Sequence, residues 1–269
     1  MSSSATPAPA GPARLATGVT AVVPLRDGVS GKSRLASVLD DDGRRALITV
    51  LAQHVVGTLL ATPQVHRVVV VTADIGFARS AVGELSDVGE LAFLAQSPDR
   101  PGLNAALDTA REAVGSGTPD AGNALGAPSS LLVAHADLPA LTPADITALA
   151  TRAPLHPDGR RSGPPPERRS PELGAPDRPQ AADVVIATDR AGRGTNLLLL
   201  NGGAAVGFRF RFGPDSRHAH EAEARRLGLR AVTTSRPSTA VDLDTVDDWN
   251  ELPAEVRTAV ARYARFPSR

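Results

Sequence analysis

The chain has 269 residues, 42% hydrophobic and 22% charged, and its 29 Lys+Arg balance its 29 Asp+Glu. Zero net charge argues against a broad nucleic-acid or anionic-membrane surface, and no apolar run reaches the ~18–20 residues of a membrane span. With no cysteine, disulfide scaffolds, thiolate metal sites and cysteine nucleophiles are excluded. The opening residues lack a charged start followed by an apolar core, so a cytoplasmic location is expected. Only one of the 29 basic residues is a lysine, Lys32.

Residues 1–17 are Ser/Ala/Pro-rich and aperiodic, and read as a disordered tail. Val19–Leu25 then reads as a first strand. A helix is expected over Asp41–Leu60, where Leu47, Leu51, Val55 and Leu59 recur at helical spacing. Val65–Thr72 (VHRVVVVT) is a near-continuous apolar run, as a strand covered on both faces requires. A short helix around Phe77–Glu84 precedes a strand at Leu91–Gln96. Leu103–Val114 is helical, and a Gly/Pro/Ala loop follows from Gly115 to Ser130. Ser130–His135 is a buried strand. Thr142 is placed to cap a helix that starts with Pro143 and runs to Arg152.

A proline- and arginine-rich stretch at about 154–180 cannot form a packed element and reads as a surface insertion. Residues 18–269 are therefore expected to form a single domain carrying that insertion. Beyond it, Asp183–Thr188, Asn196–Leu200, Ala205–Arg209 and Arg230–Thr234 read as strands. A polar helix is expected at Asp215–Leu227, and closing helices near Val246–Leu252 and Ala254–Arg265. The alternation of strands and helices predicts an α/β fold with a mostly parallel, doubly wound central sheet and helices on both faces. Ligands in such sheets bind beyond the carboxyl ends of the strands.

The loops at those ends carry the candidate chemistry. Gly31-Lys32-Ser33-Arg34 follows the first strand, where backbone N–H groups and basic side chains can meet phosphate oxygens. It has the ending of a P-loop but not its first glycine, because position 26 is Arg26. Asp137 follows the fourth predicted strand and can hold a divalent cation over the crevice, or cap a turn. In Val241-Asp242-Leu243-Asp244-Thr245, an extended segment puts Asp242 and Asp244 on one side, while Asp244 or Thr245 can cap the next helix. Two such carboxylate loops beside a basic loop can form a magnesium–polyphosphate site. Gly102 and Asn104 open a helix, where Asn104 can cap it or bond a nucleoside. Thr195 precedes an apolar strand. Gly213 and Ser216 open the polar helix as a second anion pocket. His218 and His220 do not share a helix face, so they read as part of a solvated surface rather than a metal site.

Taken in order, VVPLRDGVSGKSRLA, PGLNAALDTA, VAHADLPALTPADI, GRGTNLLL, FRFGPDSRHAHEAEARRLGL and VDLDTVDDW resemble the guanylyltransferases of coenzyme F-420 biosynthesis. These are the phosphoenolpyruvate and 2-phospho-L-lactate guanylyltransferases. The resemblance covers about Val19 to Leu252 and implies a Rossmann-like nucleotidyltransferase fold. It implies transfer of GMP from GTP to a phosphorylated three-carbon acid with release of pyrophosphate, using magnesium, and hand-over of the product to a deazaflavin transferase. It also implies that Lys32, Arg34 and Asp137 act in catalysis, and that Gly31, Lys32, Ser33, Gly102 and Asn104 bind nucleotide. Thr195, Gly213 and Ser216 would bind the acid, with Asp137 and Asp242 or Asp244 on the metal. The ending DLDTVDDW lacks the proline usual in the family, which leaves the choice between those two aspartates open. Two other readings are a different nucleotidyltransferase, such as a molybdenum-cofactor guanylyltransferase, and a catalytically silent nucleotide-binding α/β protein.

Overall fold

The near-continuous apolar run Val65–Thr72 is a strand with parallel neighbours on both sides, as such a run in a parallel sheet is expected to be. The computed structural model describes residues 18–26, 32–37, 39–115, 130–151, 182–251 and 253–261. The 1–17 segment, Gly31 and the 154–180 segment fall outside them. The strands are β1 (Val19–Pro24), β2 (Val65–Thr72), β3 (Leu91–Ala95), β4 (Ser130–Ala134), β5 (Val184–Thr188), β6 (Thr195–Asn201) and β7 (Ala231–Thr234). They form one seven-stranded sheet in the order β3-β2-β1-β4-β6-β5-β7. All neighbouring pairs are parallel except the two made by β6, which runs antiparallel to β4 and β5.

The helices are α1 (Asp41–Leu60), α2 (Ile75–Val82), α3 (Leu103–Gly115), α4 (Pro143–Ala150), α5 (Ser216–Arg226), α6 (Pro237–Ala240), α7 (Val246–Glu251) and α8 (Ala254–Ala261). One sheet face packs on α1, α2 and α4 through residues such as Val55, Leu59, Phe77 and Ile146. The other packs on α3 and α5, with Leu107, Ala110 and Ala224 joined by Phe208, Phe210 and Phe212. Helices therefore cover both faces, as a doubly wound sheet requires. Thr142 caps α4 in a reciprocal box with Asp145.

The expected strand at Ala205–Arg209 is not formed. Gly202–Ala205 is a short 3-10 helix, and the chain then turns at Val206–Gly207 and continues without regular structure outside the sheet. Its alternation has a different cause. Phe208, Phe210 and Phe212 are buried against the sheet face, while side chains satisfy backbone N–H groups that a neighbouring strand would otherwise take. Arg209 N–H donates to Glu223 Oε1 at 2.9 Å, Arg211 N–H to His220 Nε2 at 3.0 Å, and Phe212 N–H to Asn104 Oδ1 at 2.8 Å.

Candidate active site

A cleft of about 690 Å³ opens at the carboxyl ends of the parallel strands. Pro24, Leu25 and Arg26 line it after β1, Ala73 after β2, Gln96 after β3, and His135, Ala136 and Asp137 after β4. Ile48, Leu51, Val71, Leu103 and Ala106 supply apolar wall, and Lys32, Arg34, Gly102, Asp242 and Asp244 complete the lining.

Two acidic loops meet there. The Leu243 N–H donates to the Asp137 carbonyl at 3.0 Å, tying the segment after α6 to the end of β4. Leu243 itself is buried among Leu35, Leu39, Leu47 and Leu51, so its neighbours Asp242 and Asp244 face the other way, into the cleft. Thr245, not Asp244, caps α7: its hydroxyl accepts from Asp248 N–H, and Asp248 Oδ2 accepts from Thr245 N–H. Asp244 is thereby left for the site.

Lys32 is at the centre of this group. It adopts a left-handed backbone (φ 57°), unusual for a residue with a side chain. Its ammonium donates to Asp137 Oδ2 at 2.6 Å and to Asp244 Oδ1 at 2.7 Å. Burial disfavours that charge, but the two carboxylates outweigh it and hold the Lys32 pKa above its usual value. Asp137 is partly buried, which alone would raise its pKa, yet Lys32 and His135 keep it below the ordinary carboxylate range. Asp242 behaves oppositely: burial, together with the charges of Asp137 and Asp244, pushes it up to about 6.

The donor atoms of Asp137, Asp242 and Asp244 lie within 4.8 Å of one another. Asp137 Oδ1 is buried with no hydrogen-bond partner, and burial with two neighbouring carboxylates disfavours the charge on Asp242. An all-oxygen set with an unsatisfied lone pair fits a hard divalent cation, so these three residues can hold a metal.

Arg34 lines the cleft from a short 3-10 helix at Ser33–Leu35. Gly102 lines it with φ +96°, a conformation that strains any other residue. Asn104 is differently engaged. Its Oδ1 accepts from Phe212 N–H, and its amide donates to the Phe212 carbonyl at 3.0 Å, so it clamps α3 to the loop before α5. Thr195, Gly213 and Ser216 do not line the cleft; they are reached from it through two rings. His135 lies 5.1 Å from Phe212, Phe212 lies 4.7 Å from His220, and the His220 ring meets Thr195. Gly213 has φ +143° and its carbonyl accepts from Ser216 N–H, forming the turn into α5.

The polar helix is not wholly solvated. His218 is exposed and bonded to Arg217, but His220 is fully buried, facing Thr195 and the Arg211 backbone. The sequence reading also passed over Gln96 and His135. Gln96 bonds the carbonyls of Arg100 and Gly102, and His135 Nε2 is buried without a partner. Placement of both after parallel strands was the available signal.

Residues 177–259 match the family described as guanylyl transferase CofC like. The phosphoenolpyruvate guanylyltransferase of Rubrobacter xylanophilus is 35% identical over 88% of this chain and 94% of its own length. That of Conexibacter woesei is 35% identical over 86% of each chain. Among solved structures, a protein of Desulfovibrio desulfuricans G20 assigned to the nucleotide-diphospho-sugar transferases superposes with a TM-score of 0.59 at 15% identity, covering 91% and 90% of the two chains. That likeness shows a shared fold.

Proposed function

The chain belongs to the CofC-like guanylyl transferase family, and from that premise we propose that it moves GMP from GTP to the phosphate of phosphoenolpyruvate, releasing pyrophosphate. The observation that carries the reading at the site is the convergence of Lys32, Asp137, Asp242 and Asp244 on one cleft. An acceptor phosphate has its second pKa near ~6 and is largely dianionic at neutral pH, so it needs no general base. One of its oxygens forms the bond to the α-phosphorus of GTP. The bond from that phosphorus to the β-phosphate bridging oxygen breaks, and pyrophosphate leaves with the electron pair. The obstacle is repulsion between two anions, which positioning and charge must overcome.

Asp137, Asp242 and Asp244 would hold a magnesium ion, which when bound supplies positive charge against the triphosphate oxygens. Lys32 and Arg34 neutralise the triphosphate and the departing pyrophosphate. Ser33 and Gly102 bring backbone close to the nucleotide, a role the family resemblance extends to Gly31, while Asn104 holds Phe212 and through it the turn into α5. Thr195, Gly213 and Ser216 take the phosphorylated acid once the Phe212 ring moves to open the buried Thr195 and Ser216 to the cleft, with Ser216 at the N-terminal end of α5, where backbone N–H groups favour an anion. The product is an activated acid suited to hand-over to a deazaflavin transferase in coenzyme F-420 biosynthesis.

The test is pyrophosphate release from each nucleoside triphosphate with magnesium and, in turn, phosphoenolpyruvate, 2-phospholactate or 3-phosphoglycerate, with a mass spectrum of each product. Fastest release with GTP and phosphoenolpyruvate is expected. Release with another triphosphate alone, or with none, overturns the assignment.

A further inference from the structure

His220 is fully buried on α5, and each of its ring nitrogens has one partner. Nε2 lies 3.0 Å from the Arg211 backbone nitrogen. A backbone N–H can only donate, so Nε2 carries a lone pair. Burial, with His135 nearby and only Glu223 opposing, lowers the pKa to about 4, so the ring is neutral at ordinary pH. A neutral imidazole with a lone pair on Nε2 has its proton on Nδ1. Nδ1 lies 3.0 Å from Thr195 Oγ1, so the ring donates and the threonine oxygen accepts. The Thr195 hydroxyl hydrogen must then point elsewhere, and none of the described residues accepts it.

Ser216, His220 and Glu223 share the buried face of α5, one turn apart in succession. Thr195, held by His220, therefore stands beside the turn of helix that Ser216 opens. A phosphate dianion offers only acceptors, so a site for it needs hydroxyls turned to donate. We infer that His220 is a positioning residue for acceptor binding: it fixes the Thr195 hydroxyl as a donor toward a phosphorylated acid held between Thr195 and Ser216. This rests on the assignment of Thr195, Gly213 and Ser216 to the acid.

The experiment compares KM for phosphoenolpyruvate and for GTP, by pyrophosphate release, in four variants. His220→Gln places an amide near Nε2, so it retains an acceptor for Arg211 and loses the bond to Thr195. His220→Asn reaches only the Nδ1 position and retains a donor to Thr195. Thr195→Val removes the hydroxyl, and the fourth variant combines Thr195→Val with His220→Gln. Expected are a roughly tenfold rise in KM for the acid in His220→Gln with KM for GTP within twofold of the parent, and an acid KM near the parent's in His220→Asn. In the Thr195→Val background, His220→Gln should add nothing further, because its effect passes through that hydroxyl.

Full multiplication of the two effects, or an equal rise in KM for GTP, overturns the inference. If His220→Gln does not fold, His220→Asn decides: a tenfold rise in its acid KM has the same force. Thr195→Val raising the acid KM while His220→Gln leaves it unchanged overturns the inference alone. Thr195→Val leaving it unchanged overturns the acid pocket as well.

Discussion

Lys32 Nζ donates to Asp137 Oδ2 at 2.6 Å, joining the loop after β1 to the end of β4 across 105 residues of sequence. The same ammonium holds Asp244 at 2.7 Å, so one strained residue gathers both acidic loops. Three carboxylates converge around one positive charge, and burial together with the charges of Asp137 and Asp244 raises the pKa of Asp242. The chain's net neutrality gives no hint of this, because the contacts for a polyanion are local.

Lys32→Ala should reduce turnover by roughly a hundredfold to a few thousandfold, corresponding to ~3–5 kcal/mol for losing a buried charge in the role proposed for it against the triphosphate. Steady-state pyrophosphate release measures it, with circular dichroism to show that the fold persists. Turnover within threefold of the parent would remove Lys32 from the mechanism.

Asp242 should destabilise the metal-free protein at neutral pH. Its folded pKa of about 6 lies above the unfolded carboxylate value, so stability is fully present below the unfolded pKa and is lost as pH rises through 6. Asp242→Asn is expected to gain about 2 kcal/mol at pH 8 in chelator. It should also weaken Mn²⁺ binding read by electron paramagnetic resonance, and in the parent that binding should strengthen as pH rises through 6 and then level off. An unchanged Tm in chelator together with unchanged Mn²⁺ affinity would count against the acidic cluster as a metal site.

Much of this was legible in the sequence, and the rest was hidden for identifiable reasons. The apolar run Val65–Thr72 read as a strand covered on both faces, and alternation put Asp242 and Asp244 on one side of an extended segment, as the burial of Leu243 between them bears out. Phe208, Phe210 and Phe212 alternate as a strand would, but local pattern does not reveal whether the backbone partner is a strand or, as here, side chains of α3 and α5. His220 was misread for a related reason. Its polar helix looked solvated because the groups that bury it, Thr195 and the Arg211 backbone, are brought to it by the tertiary fold.

Acid should unfold the protein in part through His220. Its folded pKa of about 4 lies below the unfolded value, so the unfolded chain binds the proton more readily. Stability is fully present above about pH 6.5 and falls towards pH 4, with this residue contributing roughly 3 kcal/mol of the loss. Urea unfolding at pH 7, 5.5 and 4.5 should show a shallower decline in His220→Gln than in the parent. Equal slopes would mean that the buried ring does not titrate as its surroundings require.

Asn104 should act on the acid rather than on the nucleoside. Both ends of its amide are bound to Phe212, the residue before Gly213, so its removal frees the turn that leads into α5. Asn104→Ala leaves a buried N–H and carbonyl without partners, at a cost of about 2 kcal/mol in stability measured by denaturant. Because the loosened turn carries Gly213 and Ser216, KM for phosphoenolpyruvate should rise about tenfold while KM for GTP changes less than threefold. The reverse split, with GTP affected and the acid not, would place Asn104 in direct contact with nucleoside. That would require its amide to leave Phe212 when the nucleotide binds.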